Sequence, residues 1–185
     1  GARPAVLTRA YRSGLSPADS AVLLGSEMIL KPFDRQDLRG DEARMQAHRL
    51  RDVPIIMGAK RTLAAMRYLQ HYPAPTHWIL DDGFQHLNIE RDLNILLLDA
   101  KKPFDNGRCL PAGRLREGVS ALKRADLVLF TRATDSDPDP IYIEKLAANR
   151  IPSYRVTFED GRPLQLAGPP CEVRPDLRWG LALGI

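Results

Sequence analysis

Trp78-Ile79-Leu80-Asp81-Asp82-Gly83-Phe84-Gln85-His86 decides how this chain is read. Three apolar residues, of strand length, run straight into two carboxylates and a glycine. In a parallel α/β sheet, chemistry collects at the carboxyl ends of strands. Two adjacent carboxylates repel, so the pair is costly unless a cation or hydrogen-bond donors neutralise it. A strand ending in acidic residues is how many phosphate-transfer enzymes hold Mg²⁺, a hard cation that prefers carboxylate and water oxygens. The plain alternative is a turn, because Asp-Gly between apolar runs is a strong hairpin signal. Gln85 and His86 add polar groups that a plain turn does not need.

Working outward, short apolar runs alternate with helical patterns. Ala5–Leu7, Val53–Met57, Leu93–Leu98, Asp126–Phe130 and Tyr154–Phe158 read as strands. Asp41–Arg51 reads as a helix with Ala43, Ala47 and Leu50 on one face. Arg61–Tyr72 reads as a second, with Leu63, Met66 and Leu69 inward, ending before Pro73. Glu117–Arg124 predicts a short helix and Ile141–Asn149 a last one. Near-continuous apolar strands separated by helices predict an α/β fold, a mostly parallel sheet with flanking helices. The residues after Leu80, Leu98 and Phe130 are then the ones to watch. Asp81 and Asp82 are expected at the carboxyl end of a central strand, facing a cleft with Asp41 nearby.

Composition narrows the classes. The chain has 185 residues, 44% hydrophobic and 27% charged, enough for one domain with a sizeable core. Its net charge is +4, with 21 arginines against six lysines. Arginine's planar fork matches phosphate, so an anionic ligand or an anionic membrane surface fits, as does plain compositional bias. There is no basic–aromatic stripe of the kind a nucleic-acid binder carries. Cys109 and Cys171 have no metal-ligand spacing and make no disulfide framework, which fits a reducing compartment. No apolar run approaches the ~20 residues of a membrane span, so membrane contact by this segment would be peripheral. The chain opens on a strand approach, at Arg3–Thr8, and closes on strand-like Trp179–Ile185, which reads as a piece of a longer protein. Proline and glycine accumulate after Arg162 (Pro163, Gly168, Pro169, Pro170, Pro175), the composition of a linker. The expected organisation is a core over 1–162, then a linker and the start of a further domain over 163–185.

Two other segments carry candidate chemistry. Asp41 and Glu42 stand at a predicted helix start, where acids are favoured for capping and dipole reasons. As a general base for a sugar hydroxyl, Asp41 would need a partner or burial to lift a free pKa near ~3.9. Phe104–Glu117 is a long loop after a strand, with Arg108, Arg114 and Arg116, and reads either as a binding loop or as solvated surface. Asp99 ends a strand and reads as a polar terminus or a site residue. His48, His71 and His77 read as surface or capping residues.

Together these segments resemble the tetraacyldisaccharide 4′-kinase family of lipid A biosynthesis. Arg3–Tyr11 resembles its strand and Arg-Gly-Tyr turn, and Gly40-Asp41-Glu42 its Gly-Asp-Glu-Pro motif. Asp81–His86 fits its Asp-Asp-Gly-x-Gln-His signature residue for residue. Arg91-Asp92-Leu93, Asn106-Gly107-Arg108, Leu110-Pro111-Ala112-Gly113 and Leu115-Arg116-Glu117 fit the family's segment after that signature. Leu122–Asp126 fits the entrance to its next strand, and Gly184-Ile185 looks like the start of its next motif. The resemblance is good over residues 1–131 and weaker beyond. Ala10 stands where the family has Gly, and Ala43 where it has Pro. No Gly-x-x-x-x-Gly-Lys-Ser/Thr occurs in these 185 residues.

The resemblance implies a P-loop NTPase-like fold, incomplete here because the phosphate loop is missing. It implies transfer of the γ-phosphate of ATP, with Mg²⁺, to the 4′-hydroxyl of a tetraacylated glucosamine disaccharide 1-phosphate, at the cytoplasmic face of the bacterial inner membrane. It makes Asp41 the base and Asp81 and Asp82 the catalytic, metal-side carboxylates. Gln85, His86, Arg116 and Glu117 become substrate-side residues. Without the loop, the 185 residues alone are expected to be inactive. The other readings are a catalytically inert kinase-like binding domain, and another Mg²⁺-dependent phosphotransferase using the Asp-Asp turn.

Overall fold

A computed structural model describes residues 1–9, 13–31, 41–134 and 138–157. Ala10, Tyr11, Gly40, Phe158, Cys171, Gly184, Ile185 and the whole of 163–185 lie outside them. The chain divides into two compact units, 1–96 with 120–125, and 97–119 with 126 onward.

In the first unit, strands β1 (Pro4–Thr8), β2 (Ser20–Leu24), β3 (Glu27–Leu30), β4 (Ile55–Gly58) and β5 (His77–Leu80) form one sheet in the order β3-β2-β4-β1-β5. β1 lies parallel to both β4 and β5, while β2 is antiparallel to β4 and β3. The β2–β3 hairpin is absent from the strands expected on apolar runs alone. Its turn is Gly25-Ser26, with Gly25 at φ +56°, between two apolar runs. Arg67 anchors it, donating to Asp19 Oδ1 at 3.0 Å and to the carbonyls of Ser20 and Lys31 at 2.7 Å each.

Helices α1 (Asp41–Arg49) and α2 (Arg61–His71) cover the sheet's two faces. Val6, Ala21, Leu23, Ile55 and Met57 pack against Ala43 and Ala47 of α1. The alternate residues Ala5, Leu7, Val22 and Ile56 pack against Ala64 and Tyr68 of α2. That two-sided burial is why these strands read as continuous apolar runs rather than alternating ones.

The expected inner face of α2 is corrected. Leu63, Met66 and Leu69 are exposed, and Arg61, Ala64 and Tyr68 are buried. Small Ala64 lets the helix sit close to the sheet, so close that a Cβ on Gly58 would stand 2.8 Å from that of Ala64. Tyr68 fills the next turn, its ring stacked on Tyr72 and edge-on to Trp78. Arg61 is tolerated inside because its guanidinium finds backbone carbonyls. On α1 the reading of Ala43 and Ala47 holds, but Leu50 lies past the helix end and is exposed. β5 is also an edge strand of this sheet among the described residues, not a central one.

The second unit centres on a three-stranded sheet in the order β6-β7-β8, with β6 Ile95–Asp99, β7 Leu127–Thr131 and β8 Ser153–Val156. Helix α3 (Pro140–Ala148) connects β7 to the parallel β8. Its N-cap Asp139 accepts from Ile141 N at 3.0 Å, with Pro140 at the first helical position. Val128, Phe130, Leu146 and Ile151 are buried. The short helix expected over Glu117–Arg124 is a 3-10 helix at Val119–Arg124.

Candidate functional site

The site is built around the turn that follows β5. Asp81 N donates to Leu7 O at 3.0 Å, so Asp81 still belongs to the ladder with β1. Asp82 then adopts φ +48°, a left-handed conformation that Asp tolerates better than most side chains. A Cβ at Gly83 would stand 2.6 Å from that of Leu80, so only glycine lets the chain turn back here. His86 N closes the turn on Gly83 O at 2.9 Å.

A buried guanidinium holds this turn from behind. Arg61, 3% exposed, donates through Nη2 to Asp81 O at 2.6 Å and through both terminal nitrogens to Asp82 O at 3.2 Å. Burial lowers its pKa from the ordinary value, and the carboxylates of Asp82 and Asp81 work in the opposite direction. An arginine remains charged under such conditions. Arg91 extends the backing, its Nη1 donating to Gly83 O. Arg124 lies over the Phe84 ring, 4.8 Å from its centroid.

The Asp81 carboxylate is gripped from two further elements. Its Oδ2 accepts from Thr8 Oγ1 at the end of β1, at 3.2 Å. The same oxygen accepts from Gln46 Nε2 of α1, at 3.0 Å. Asp41 begins α1 as expected and is exposed, five residues before Gln46. At ~1.5 Å rise per residue, it lies ~7.5 Å along the helix from the residue that touches Asp81.

Gln85 and His86 share the turn with the carboxylates. Gln85 is exposed and His86 half-buried. Burial lowers the His86 pKa, and the cations of Arg61, Arg91 and Arg9 lower it further. His86 therefore favours the neutral imidazole, which can both donate and accept a hydrogen bond.

Arg116 and Glu117 belong to the second unit. They come after a loop that folds on itself. Asn106 Oδ1 accepts from Arg108 N at 3.0 Å, and its Nδ2 donates to Ala112 O at 2.9 Å. Leu110 N and Leu115 N donate to Leu115 O and Arg108 O, at 3.0 and 3.2 Å. A Cβ on Gly113 would meet Arg108 O and Asn106 Oδ1 at 2.2 Å each. The Asn-Gly-Arg and Pro-Ala-Gly segments are thus two sides of one compact loop. Asp99 ends β6 and accepts from Arg132 and from Lys101 N. His48, His71 and His77 are exposed, as read from sequence.

Sequence reasoning missed Thr8, Gln46 and Arg61. Each had a signal. Thr8 is the polar end of the strand beside β5. Gln46 lies three residues after Ala43 and next to Ala47, on the inward side of α1. Arg61 is spaced three and seven residues from Ala64 and Tyr68.

An α/β sheet covered by helices on both faces, with a carboxylate pair just beyond a strand's carboxyl end, is an arrangement in which α/β enzymes bind their ligands. Residues 1–173 match the family described as tetraacyldisaccharide-1-P 4′-kinase, LpxK, and the chain belongs to that family. It is 40% identical over 139 residues to the tetraacyldisaccharide 4′-kinase of Elusimicrobium minutum, covering 74% of this chain and 36% of that protein. It is 41% identical over 155 residues to that of Geobacter sulfurreducens, covering 84% and 41%. The chain thus spans less than half the length of these relatives. Its fold also resembles a crystal structure of LpxK from Aquifex aeolicus in complex with ATP, with a TM-score of 0.56 and 23% identity over 89% of this chain and 66% of that one.

Proposed function

We propose that the full-length protein transfers the γ-phosphate of ATP to the 4′-hydroxyl of a tetraacyldisaccharide 1-phosphate. The observation that carries this reading is the Asp81-Asp82 turn, fixed from behind by Arg61 and from the side by Thr8 and Gln46, in a chain that belongs to this kinase family.

The donor set suits Mg²⁺. Mg²⁺ is commonly bound by one or two carboxylates plus substrate phosphates, and keeps several waters. Among the described residues no cluster of three or more His, Cys, Asp or Glu could hold a metal ion. Asp81 has one oxygen occupied by two donors, leaving Oδ1 as an acceptor, and Asp82 is exposed beside it. When bound, Mg²⁺ would neutralise charge on the phosphates. Asp81 and Asp82 would hold it. The phosphate cradle itself we assign to the part of the protein outside these residues.

Asp41 would take the proton of the 4′-hydroxyl as it attacks. Gln85 and neutral His86 would orient the reacting groups by hydrogen bonds. Arg116 and Glu117 would contact the disaccharide, since a guanidinium fork suits a phosphate or a row of hydroxyls. An acylated substrate implies work at a membrane surface, on the cytoplasmic face where ATP is available. No helix among the described residues is long and apolar enough to cross a membrane, and the arginine excess suits peripheral contact with anionic lipid.

The test is turnover of the full-length protein with Mg-ATP and the acylated disaccharide, for the wild type and Asp81→Asn. Formation of the 4′-phosphate, lost in the variant, supports the reading. A folded protein that makes no product would favour an inert binding domain.

A further inference from the structure

We infer that Gln46 is a positioning residue for this reaction: its side-chain amide fixes the Asp81 carboxylate and ties the helix that begins at Asp41 to the acidic turn. The inference rests on the roles proposed for Asp81 and Asp41, and goes beyond them by adding a residue that acts through Asp81.

Gln46 Nε2 donates to Asp81 Oδ2 at 3.0 Å, across 35 residues of sequence, and Thr8 Oγ1 donates to the same atom at 3.2 Å. Two donors converging on one carboxylate oxygen set the plane of the group and leave the other oxygen for a ligand. The amide orientation follows from this network, since the flipped rotamer would press Gln46 Oε1 against the carboxylate, acceptor against acceptor. In the orientation observed, Oε1 is buried and has no hydrogen-bond partner. Such an orphan acceptor carries a desolvation penalty that an apolar side chain would avoid. On either side of Gln46 along the inward face of α1, Ala43 and Ala47 are buried against the sheet. An apolar residue would satisfy packing there, so the amide is explained by what it holds rather than by the core.

The consequence is mechanical. α1 meets the sheet through two alanine side chains, which grip little. The bond from Gln46 to Asp81 adds a directional restraint, so α1 cannot slide or roll without breaking it. Asp41, at the head of α1, and Asp81 then keep one separation. Misplacement of reacting groups by about 1 Å is enough to cost a phosphotransferase up to ~10²-fold in rate.

The test uses the full-length protein with Gln46→Met and Gln46→Leu, which keep the volume and remove the donor, alongside Thr8→Val and Asp81→Asn. For both Gln46 variants kcat should fall about 10-fold and the Mg²⁺ concentration giving half-maximal rate should rise. KM for the disaccharide should stay within about 2-fold. Gln46→Met and Thr8→Val combined should be non-additive in kcat, because both act through one oxygen. Should one replacement fail to fold, the other carries the test. Variants with lowered melting temperature but wild-type kcat and Mg²⁺ dependence would overturn the inference and leave Gln46 a packing residue. If Asp81→Asn abolishes turnover while Gln46→Met leaves it intact, only the role of Gln46 fails. If Asp81→Asn is fully active, the reading of the acidic turn itself fails.

Discussion

Arg61 Nη2 donates to the main-chain oxygen of Asp81 at 2.6 Å, so the buried cation behind the two carboxylates grips the backbone that carries them. The guanidinium offsets the repulsion between the carboxylates and fixes the left-handed Asp82. Replacing it by Lys keeps the charge but loses the fork that spans two carbonyls. Arg61→Lys should cost about 1–3 kcal/mol of stability, from carbonyls left without donors. In the full-length protein it should also lower kcat. Urea unfolding beside turnover measures both, and a variant as stable and as active as wild type would refute the clamp.

Asp41→Ala tests the assignment of the base. A positioned general base contributes roughly 10²–10⁴-fold to rate. The variant should lose turnover on that scale while its affinity for Mg-ATP, measured by calorimetry, changes little. Loss of nucleotide affinity in proportion to turnover would instead mark Asp41 as a residue of the nucleotide site or an N-terminal helix residue only.

The elements and the acidic turn were legible because each rests on a local rule. Apolar runs of strand length reported sheet positions buried on both faces, as Ile55, Ile56 and Met57 are. Asp-Asp-Gly after Leu80 reported the end of a strand. The misses came from tertiary context. Leu63, Met66 and Leu69 look like the inner face of α2 on hydrophobicity alone, but close packing at Ala64 and the carbonyls waiting for Arg61 set the helix's rotation. The Gly25-Ser26 hairpin carried a readable two-residue signal in Leu24-Gly25-Ser26-Glu27, and Gly25 at φ +56° is its physical cause. The convergence of Thr8 and Gln46 on one oxygen, across 73 and 35 residues, has no local signature at all.

His86 gives the site a pH signature. Burial, then Arg61, Arg91 and Arg9, hold its pKa below the ordinary 6.5. On acidification the unfolded chain therefore takes up its proton first, near ~6.5, and the folded protein only at lower pH. Stability from this group is complete above about 6.5 and is lost as pH falls through the folded value. His86→Gln should flatten that part of the profile. Urea midpoints at about pH 7.5, 6.5 and 5.5 should drop more for wild type than for the variant, and parallel curves would show that His86 titrates as in the unfolded chain.

The 185-residue chain by itself should bind Mg-ATP weakly and transfer no phosphate. Charge that develops on the γ-phosphoryl group is stabilised in this fold class by loop amides, a lysine and the metal together. These residues contain no Gly-x-x-x-x-Gly-Lys-Ser/Thr, so the acidic turn meets a negative nucleotide with only metal-side groups in place. β5, which leads into that turn, lies at the edge of its sheet, and Ile79 on it is 51% exposed. On β6, Ile95 and Leu97 are exposed too. An edge with open backbone groups and apolar side chains is a template for pairing with another copy. The isolated chain should therefore self-associate as its concentration rises, which light scattering would detect. Calorimetric titration with Mg-ATP, followed by an assay on the acylated disaccharide, is the decisive measurement. Tight nucleotide binding or phosphate transfer would mean that a segment within these residues forms a phosphate cradle, and the assignment of that cradle to the rest of the protein would be wrong.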